Sequence, residues 1–252
     1  MMLDPTLDKL RDLRLDGMLA ALNDQEMLPN PGVMSFEERL GLLVDREITT
    51  RENRKLKIRL GKAKLRQEAA MEDLYLRPSR EIDRSQILAL SSCEWIRRKE
   101  NCIITGKTGV GKSYLGCALA NKACREGFDA LYFRVPRLFD ELTHAKAVGT
   151  YTRRLNTIAR CELLVLDDWG IAPFKDEQRR DMLEILDDRY GRRSTVVAAQ
   201  VPIDKWHEVI ADPTLADAIL DRLVHNAHRI ELKGPSIRNR DSALTTEHTT
   251  QP

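Results

Sequence analysis

The chain reads as an α/β protein: a parallel five-stranded sheet flanked by helices, preceded by a small all-helical N-terminal domain. Three observations point there. From residue 100 onward, short runs rich in Val, Ile and Leu alternate with helical segments, the pattern of strands buried on both faces of a parallel sheet. Before about residue 78 no run has strand character. Where the alternation begins stands Gly106-Lys107-Thr108-Gly109-Val110-Gly111-Lys112-Ser113, which matches G-x-x-x-x-G-K-[ST] without mismatch.

In chain order, Leu7, Leu10, Leu13 and Leu15 with Met18, Leu19 and Leu22 predict a first amphipathic helix, broken by Pro29-Asn30-Pro31-Gly32. Ser35 and Glu38 form a capping box, and Phe36, Leu40, Leu43, Val44 and Ile48 continue at helical spacing. The run 51–76 is also helical in character, and Pro78 closes the domain. Residues 79–99 are a connector. The expected strands are 102–105, 130–134, 162–167, 195–199 and 229–232, with two helices, 136–145 and 151–160, between the second and third. The expected domains are therefore 1–78 and 100–242, with a polar, disordered tail at 243–252.

Hydrophobic residues make up 42% of the 252, enough for a core, and a net charge of +2 leaves any nucleic-acid affinity to local clusters. None of the five cysteines forms a C-x-x-C pair, so reduced, mostly buried thiols and no metal-thiolate site are expected. No signal-peptide core and no run of 18 apolar residues is present. The expectation is a cytoplasmic protein with no membrane association.

The glycine loop follows a short apolar strand and opens a helix, the context its chemistry needs. Gly106, Gly109 and Gly111 let the backbone aim N–H groups at phosphates, and the helix N-terminus adds partial positive charge. Lys112 should reach the β- and γ-phosphates and the Ser113 hydroxyl should hold Mg²⁺. Gly106, Lys107, Thr108, Gly109, Val110, Gly111, Lys112, Ser113 and Tyr114 form the expected nucleotide set. Hydrolysis also needs an acid for the metal and a group to orient water. Leu163-Leu164-Val165-Leu166 ends in Asp167 and Asp168, a buried strand delivering two carboxylates to the rim of the sheet. Asp167 is the expected Mg²⁺ partner through water and Asp168 the group that polarises the attacking water. Two solvated acids at a strand end are the plain alternative, which the loop upstream disfavours. Gln200, ending the next strand, either bonds the γ-phosphate or attacking water or simply opens a loop. Arg222 is either a finger reaching a neighbouring subunit's nucleotide or a surface arginine paired with an acid.

Together these motifs resemble the AAA+ family, in particular its IstB-like branch, the ATP-binding helpers of insertion-sequence transposition related to DnaC helicase loaders and DnaA initiators. Residues 106–113, 134–142, 163–170 and 204–226 carry the resemblance, which spans almost the whole chain. It implies ATP and Mg²⁺ as cofactors, Arg222 acting in trans, Gln200 at a sensor position and Arg238 near a second-sensor position. Asp168 stands where many AAA+ proteins have Glu, which implies slow hydrolysis suited to a switch.

The segment 46–66 is dense in Lys and Arg, and Arg51, Arg54, Lys55, Arg59 and Lys62 share a helical face. Such a face follows a phosphate backbone, rests in solvent or meets an acidic partner; the resemblance favours DNA. Lys146, Arg153 and Arg154 form a second basic segment between the two extra helices. With aromatics at 5%, backbone contacts on duplex DNA with little sequence specificity are expected rather than base stacking. The resemblance implies an ATP-dependent homo-oligomer that assembles on duplex target DNA, remodels it and recruits a partner transposase, with hydrolysis driving disassembly. A DnaC-like helicase loader is the alternative; a small-molecule kinase would need an acceptor pocket the sequence does not signal.

Overall fold

The computed structural model describes residues 4–27, 34–74 and 83–236. The Pro29–Gly32 break, Pro78, Arg238 and the tail lie outside them. The chain divides into two compact units between Ile58 and Arg59, ahead of the boundary expected at residue 78.

In the first unit the single helix expected across Leu7 to Leu22 is two, α1 (Asp4–Asp12) and α2 (Asp16–Glu26), separated where Arg14 takes a left-handed φ of 55°. Gly17 lets α2 approach α3 (Phe36–Ala63): a Cβ there would sit 2.6 Å from the Arg46 carbonyl oxygen. Buried Glu47 on α3 accepts from the amides of Gly17 (2.7 Å) and Met18 (3.1 Å), so an anion meets the N-terminus of α2. The Ser35–Glu38 capping box forms as expected, with both reciprocal bonds. Phe36, Leu40, Val44 and Ile48 are exposed among the described residues. Helix α3 stops at Ala63, because Lys64 turns left-handed (φ 50°), and the described residues 64–74 do not continue the helix expected there.

The second unit contains α4 (Arg84–Ser91), α5 (Glu94–Arg97), β1 (Asn101–Gly106), α6 (Lys112–Arg125), β2 (Ala130–Arg134), α7 (Val135–Ala147), α8 (Tyr151–Arg160), β3 (Leu163–Trp169), α9 (Asp176–Arg189), β4 (Ser194–Ala199), α10 (Trp206–Ile210), α11 (Pro213–Val224) and β5 (Ala227–Leu232). All five expected strands are present. They pair in parallel in the order β2-β3-β4-β1-β5. Ile103, Leu164, Leu166, Val197 and Ala199 face one core with side chains of α7 to α11, including Phe139, Ile158, Met182, Trp206 and Ile219. Alternate strand residues face α6, where Gly116 approaches Val165 (3.3 Å for an added Cβ).

One irregularity matters. Leu166 pairs with Val197 but Trp169 with Ala199, so β3 carries one extra residue at its end, and Asp168 there has φ 60°. This bulge lies where the two acids leave the sheet.

Candidate nucleotide-binding site

The glycine loop joins β1 to α6 at the C-terminal rim of the sheet, where open parallel sheets bind ligands. Gly106, Gly109 and Gly111 have φ of 147°, 84° and 104°. At Gly106 a Cβ would lie 2.3 Å from the Leu232 carbonyl oxygen, and at Gly109 2.2 Å from Ser236 Oγ, so the chain leaving β5 closes on the loop. Lys112 is buried and its Nζ donates to the carbonyl oxygens of Gly106 (2.7 Å) and Lys107 (2.8 Å). That holds the ammonium under the loop.

Asp167 is 1% exposed, and its carboxylate accepts from the Tyr132 hydroxyl at 2.5 Å. Burial, then this bond, pushes ionisation of Tyr132 far above the ordinary phenol range, so Tyr132 stays a donor. Arg66 Nη1 lies 3.6 Å from the same carboxylate oxygen. Asp168, one residue on, accepts from Arg134 Nε at 2.5 Å, a bond that raises the arginine's pKa. Thr108 Oγ1 donates to Gln200 Oε1 at 2.8 Å, which brings the end of β4 to the loop.

These groups surround a cleft of about 390 Å³ lined by Arg66, Gln67, Thr108, Gly109, Gly111, Lys112, Ser113, Tyr114, Arg134, Asp167, Asp168, Ala198 and Gln200. Its size suits a small ligand. The donor set fits a nucleoside triphosphate with Mg²⁺: loop amides and Lys112 for phosphate oxygens, the Ser113 hydroxyl and Asp167 carboxylate for the cation and its waters. Of the expected set, Gly106, Lys107 and Val110 do not line the cleft. The first two turn carbonyls to Lys112, and the Val110 side chain is buried.

Arg222 lies elsewhere. Its main-chain oxygen accepts from Asn101 Nδ2 (3.0 Å), at the start of β1, whereas the loop begins at the strand's other end. At about 3.3 Å per residue the strand alone separates Arg222 from its own loop by roughly 16 Å. The guanidinium pairs with Asp187 on α9 and donates to the Ala218 carbonyl (2.7 Å). This is the surface pairing that the sequence left open, in a place that excludes contact with the chain's own nucleotide.

The basic candidates divide. Lys55 and Lys62 are exposed, Arg51 pairs with Glu47 (2.6 Å) and Arg54 lies 3.9 Å from Asp16. Arg59 is not on an open face: it belongs with the second unit, bonding the Cys124 carbonyl (3.5 Å) near Asp129 (4.0 Å). Lys146 and Arg154 of the second basic segment have acidic partners. Lys146 is clamped to Asp181 (2.7 and 3.0 Å) over the Tyr151 ring, and Arg154 to Glu141 (2.6 Å) over Phe133, so both serve internal ion pairs. Arg153 is exposed.

Sequence reading missed Arg66, Gln67, Tyr132 and Arg134 as site residues. The signal for Arg134 was available: it ends the strand beside β3, and adjacent parallel strands end on one rim. No described helix is long and apolar enough to cross a membrane. All five cysteines are buried and free, and no described cluster of His, Cys, Asp and Glu offers three metal ligands.

The family model described as IstB-like ATP binding protein matches residues 8–245. An insertion-sequence ATP-binding protein of Sinorhizobium fredii, y4pL, is 50% identical over 238 residues, covering 94% of this chain and 97% of that protein. The IS1162 ATP-binding protein of Pseudomonas fluorescens is 45% identical, covering 80% and 88%. Among solved structures, DnaI superposes with a TM-score of 0.57 at 23% identity (66% of this chain, 92% of that one), and the DnaC helicase loader with 0.53 at 20% (66% and 97%). The fold is therefore shared with DnaI and the DnaC helicase loader. The chain belongs to the IstB-like ATP-binding family.

Proposed function

We propose that this protein is an ATP-driven switch of insertion-sequence transposition: it binds Mg²⁺ and ATP, assembles on duplex DNA, remodels it, recruits a partner transposase, and disassembles upon slow hydrolysis. One observation carries the nucleotide half: Lys112, Ser113, Asp167 and Asp168 converge on one cleft at the C-terminal rim. The insertion-sequence names of the relatives support the biological setting.

In this reading the loop amides and the N-terminus of α6 bind the phosphates. Lys112 exchanges the carbonyls of Gly106 and Lys107 for phosphate oxygens. Bound Mg²⁺ supplies charge neutralisation at the phosphates, with Ser113 and Asp167 holding it. Asp168, fixed by Arg134 through Oδ2, has its other oxygen to orient and polarise water. Gln200, which accepts from Thr108, bonds the terminal phosphate or the attacking water. Arg222 acts on a neighbouring subunit's nucleotide after leaving Asp187, which makes the assembly ATP-dependent. Lys55, Lys62, Arg51 and Arg54 are the groups for duplex phosphates.

A DnaC-like loader is the second reading, favoured by the fold similarity to DnaI and DnaC. Duplex binding and particle size should be measured with ATP, ADP and no nucleotide across a salt series, with Lys112→Ala alongside. Large complexes that form only with ATP and wild-type protein, and are lost as salt rises, are expected. No duplex binding in any nucleotide state would overturn the transposition switch in favour of loading.

A further inference from the structure

The arginine that ends the basic segment 46–66 stands at Asp167, the acid expected to hold Mg²⁺. After α3 the chain forms a strap over 64–74 that is fastened to α6. Ala63 and Ala69 are buried, and Glu72 pairs with Arg125 at 2.6 Å. Arg59 bonds the Cys124 carbonyl just before the strap. The fastening carries Arg66 and Gln67 into the wall of the cleft beside Lys112, Ser113 and Tyr114. The Arg66 side chain keeps 37% exposure, whereas the Asp167 side chain keeps 2%.

The pair is close without being locked. At 3.6 Å from Asp167 Oδ2, Arg66 Nη1 is beyond hydrogen-bond length and far from the bidentate fork arginine makes with a committed carboxylate. The oxygen's bond comes from Tyr132 instead. Arg66 therefore neutralises a buried charge from a distance, at the spot where a divalent cation would do the same. Two cations cannot share that oxygen cheaply, and the nearest alternative anion is a triphosphate lying in the same cleft.

We propose that Arg66 is a triphosphate-contacting residue that exchanges Asp167 for the terminal phosphate when Mg²⁺ and ATP bind, so that the strap's position depends on the γ-phosphate. This rests on the ATP reading above. It differs from a fixed counter-ion role, in which Arg66 would serve ATP and ADP equally.

The test uses the full chain, Arg66→Gln and Arg66→Lys, titrated with fluorescent AMPPNP and fluorescent ADP in Mg²⁺, with hydrogen exchange of residues 64–74 in parallel. Loss of one charge-assisted contact predicts that Gln weakens AMPPNP binding about tenfold or more and ADP binding less than about twofold, with Lys recovering most of the difference. AMPPNP should alter exchange in the strap of the wild type, and ADP should not. Equal weakening of both nucleotides, or no change in either, overturns the proposal while leaving the ATP reading intact. No nucleotide binding by the wild type overturns both.

Discussion

Arg189, the last residue of α9, buries its guanidinium at the N-terminal rim of the sheet with no carboxylate partner among the described residues. It donates to the carbonyls of Ile158 (2.7 Å), Cys161 (2.8 Å) and Ser194, and to Thr195 Oγ1 (3.1 Å). It thus ties the ends of α8 and α9 to the start of β4. Replacing it with Met keeps most of the stem but removes every donor. The Ile158 carbonyl retains a bond from the Cys161 thiol (3.1 Å); the Cys161 and Ser194 carbonyls each lose a bond from a charged donor. At about 1–3 kcal/mol for each bond from a charged donor removed, the loss is roughly 2–6 kcal/mol. Against it stands relief from burying a charge, which already lowers the pKa of Arg189. The acceptors should win, because the guanidinium is well supplied with oxygen. A net loss of about 3 kcal/mol corresponds to a Tm lower by roughly 6–12 °C for a domain of this size. Urea unfolding followed by circular dichroism gives the number, and nucleotide titration of the folded variant gives the control: affinity should stay within about twofold, since the cleft is on the opposite rim. An Arg189→Met protein as stable as the wild type would refute the reasoning and show that desolvation dominates.

Two further outcomes are expected. Arg222→Ala should cost the isolated chain under about 1 kcal/mol, because its partner Asp187 is half exposed, yet abolish ATP-dependent assembly measured by light scattering; assembly and hydrolysis unchanged would remove the between-subunit site. Burial pushes the Cys102 thiol up to about 12 and Cys124 to about 11 from an ordinary 9.0. The unfolded chain releases these protons first, so stability is intact below pH 9 and falls as pH climbs from there through the folded values. Urea midpoints at pH 8, 9 and 10 should decline less for Cys102→Ala than for the wild type; parallel declines would refute this.

The loop, the strand order's raw material and the acid pair were legible because each is a local pattern. A glycine spacing, an apolar run and the residue that ends it need no partner to be recognised. The breaks at Arg14 and Lys64 were not legible: each is a charged residue in a left-handed turn, with neither Gly nor Pro to mark it. Arg66, Asn101 and Arg189 were hidden for another reason. Their roles depend on meeting residues far along the chain, as when Asn101 accepts from the Thr195 amide at 2.9 Å while donating to the end of α11. The pairings of Lys146 and Arg154 were hidden for the same reason, since a charge cluster in sequence does not reveal which acids the fold will bring to it.

The bulge at the end of β3 limits which residues can stand at its tip. A side chain at φ 60° is tolerated best as Gly, Asn or Asp, and longer chains pay more for it. Lengthening the acid by one methylene is thus two changes at once: it moves the carboxylate away from Arg134 and strains the turn that aims it. The shortness of Asp168 is consequently a property of the backbone as well as of the chemistry. On the hydrolysis proposed above, a faster enzyme on this scaffold would require the strand end to be rebuilt before the residue is exchanged, whereas Asp168→Asn is expected to give an inert, folded form.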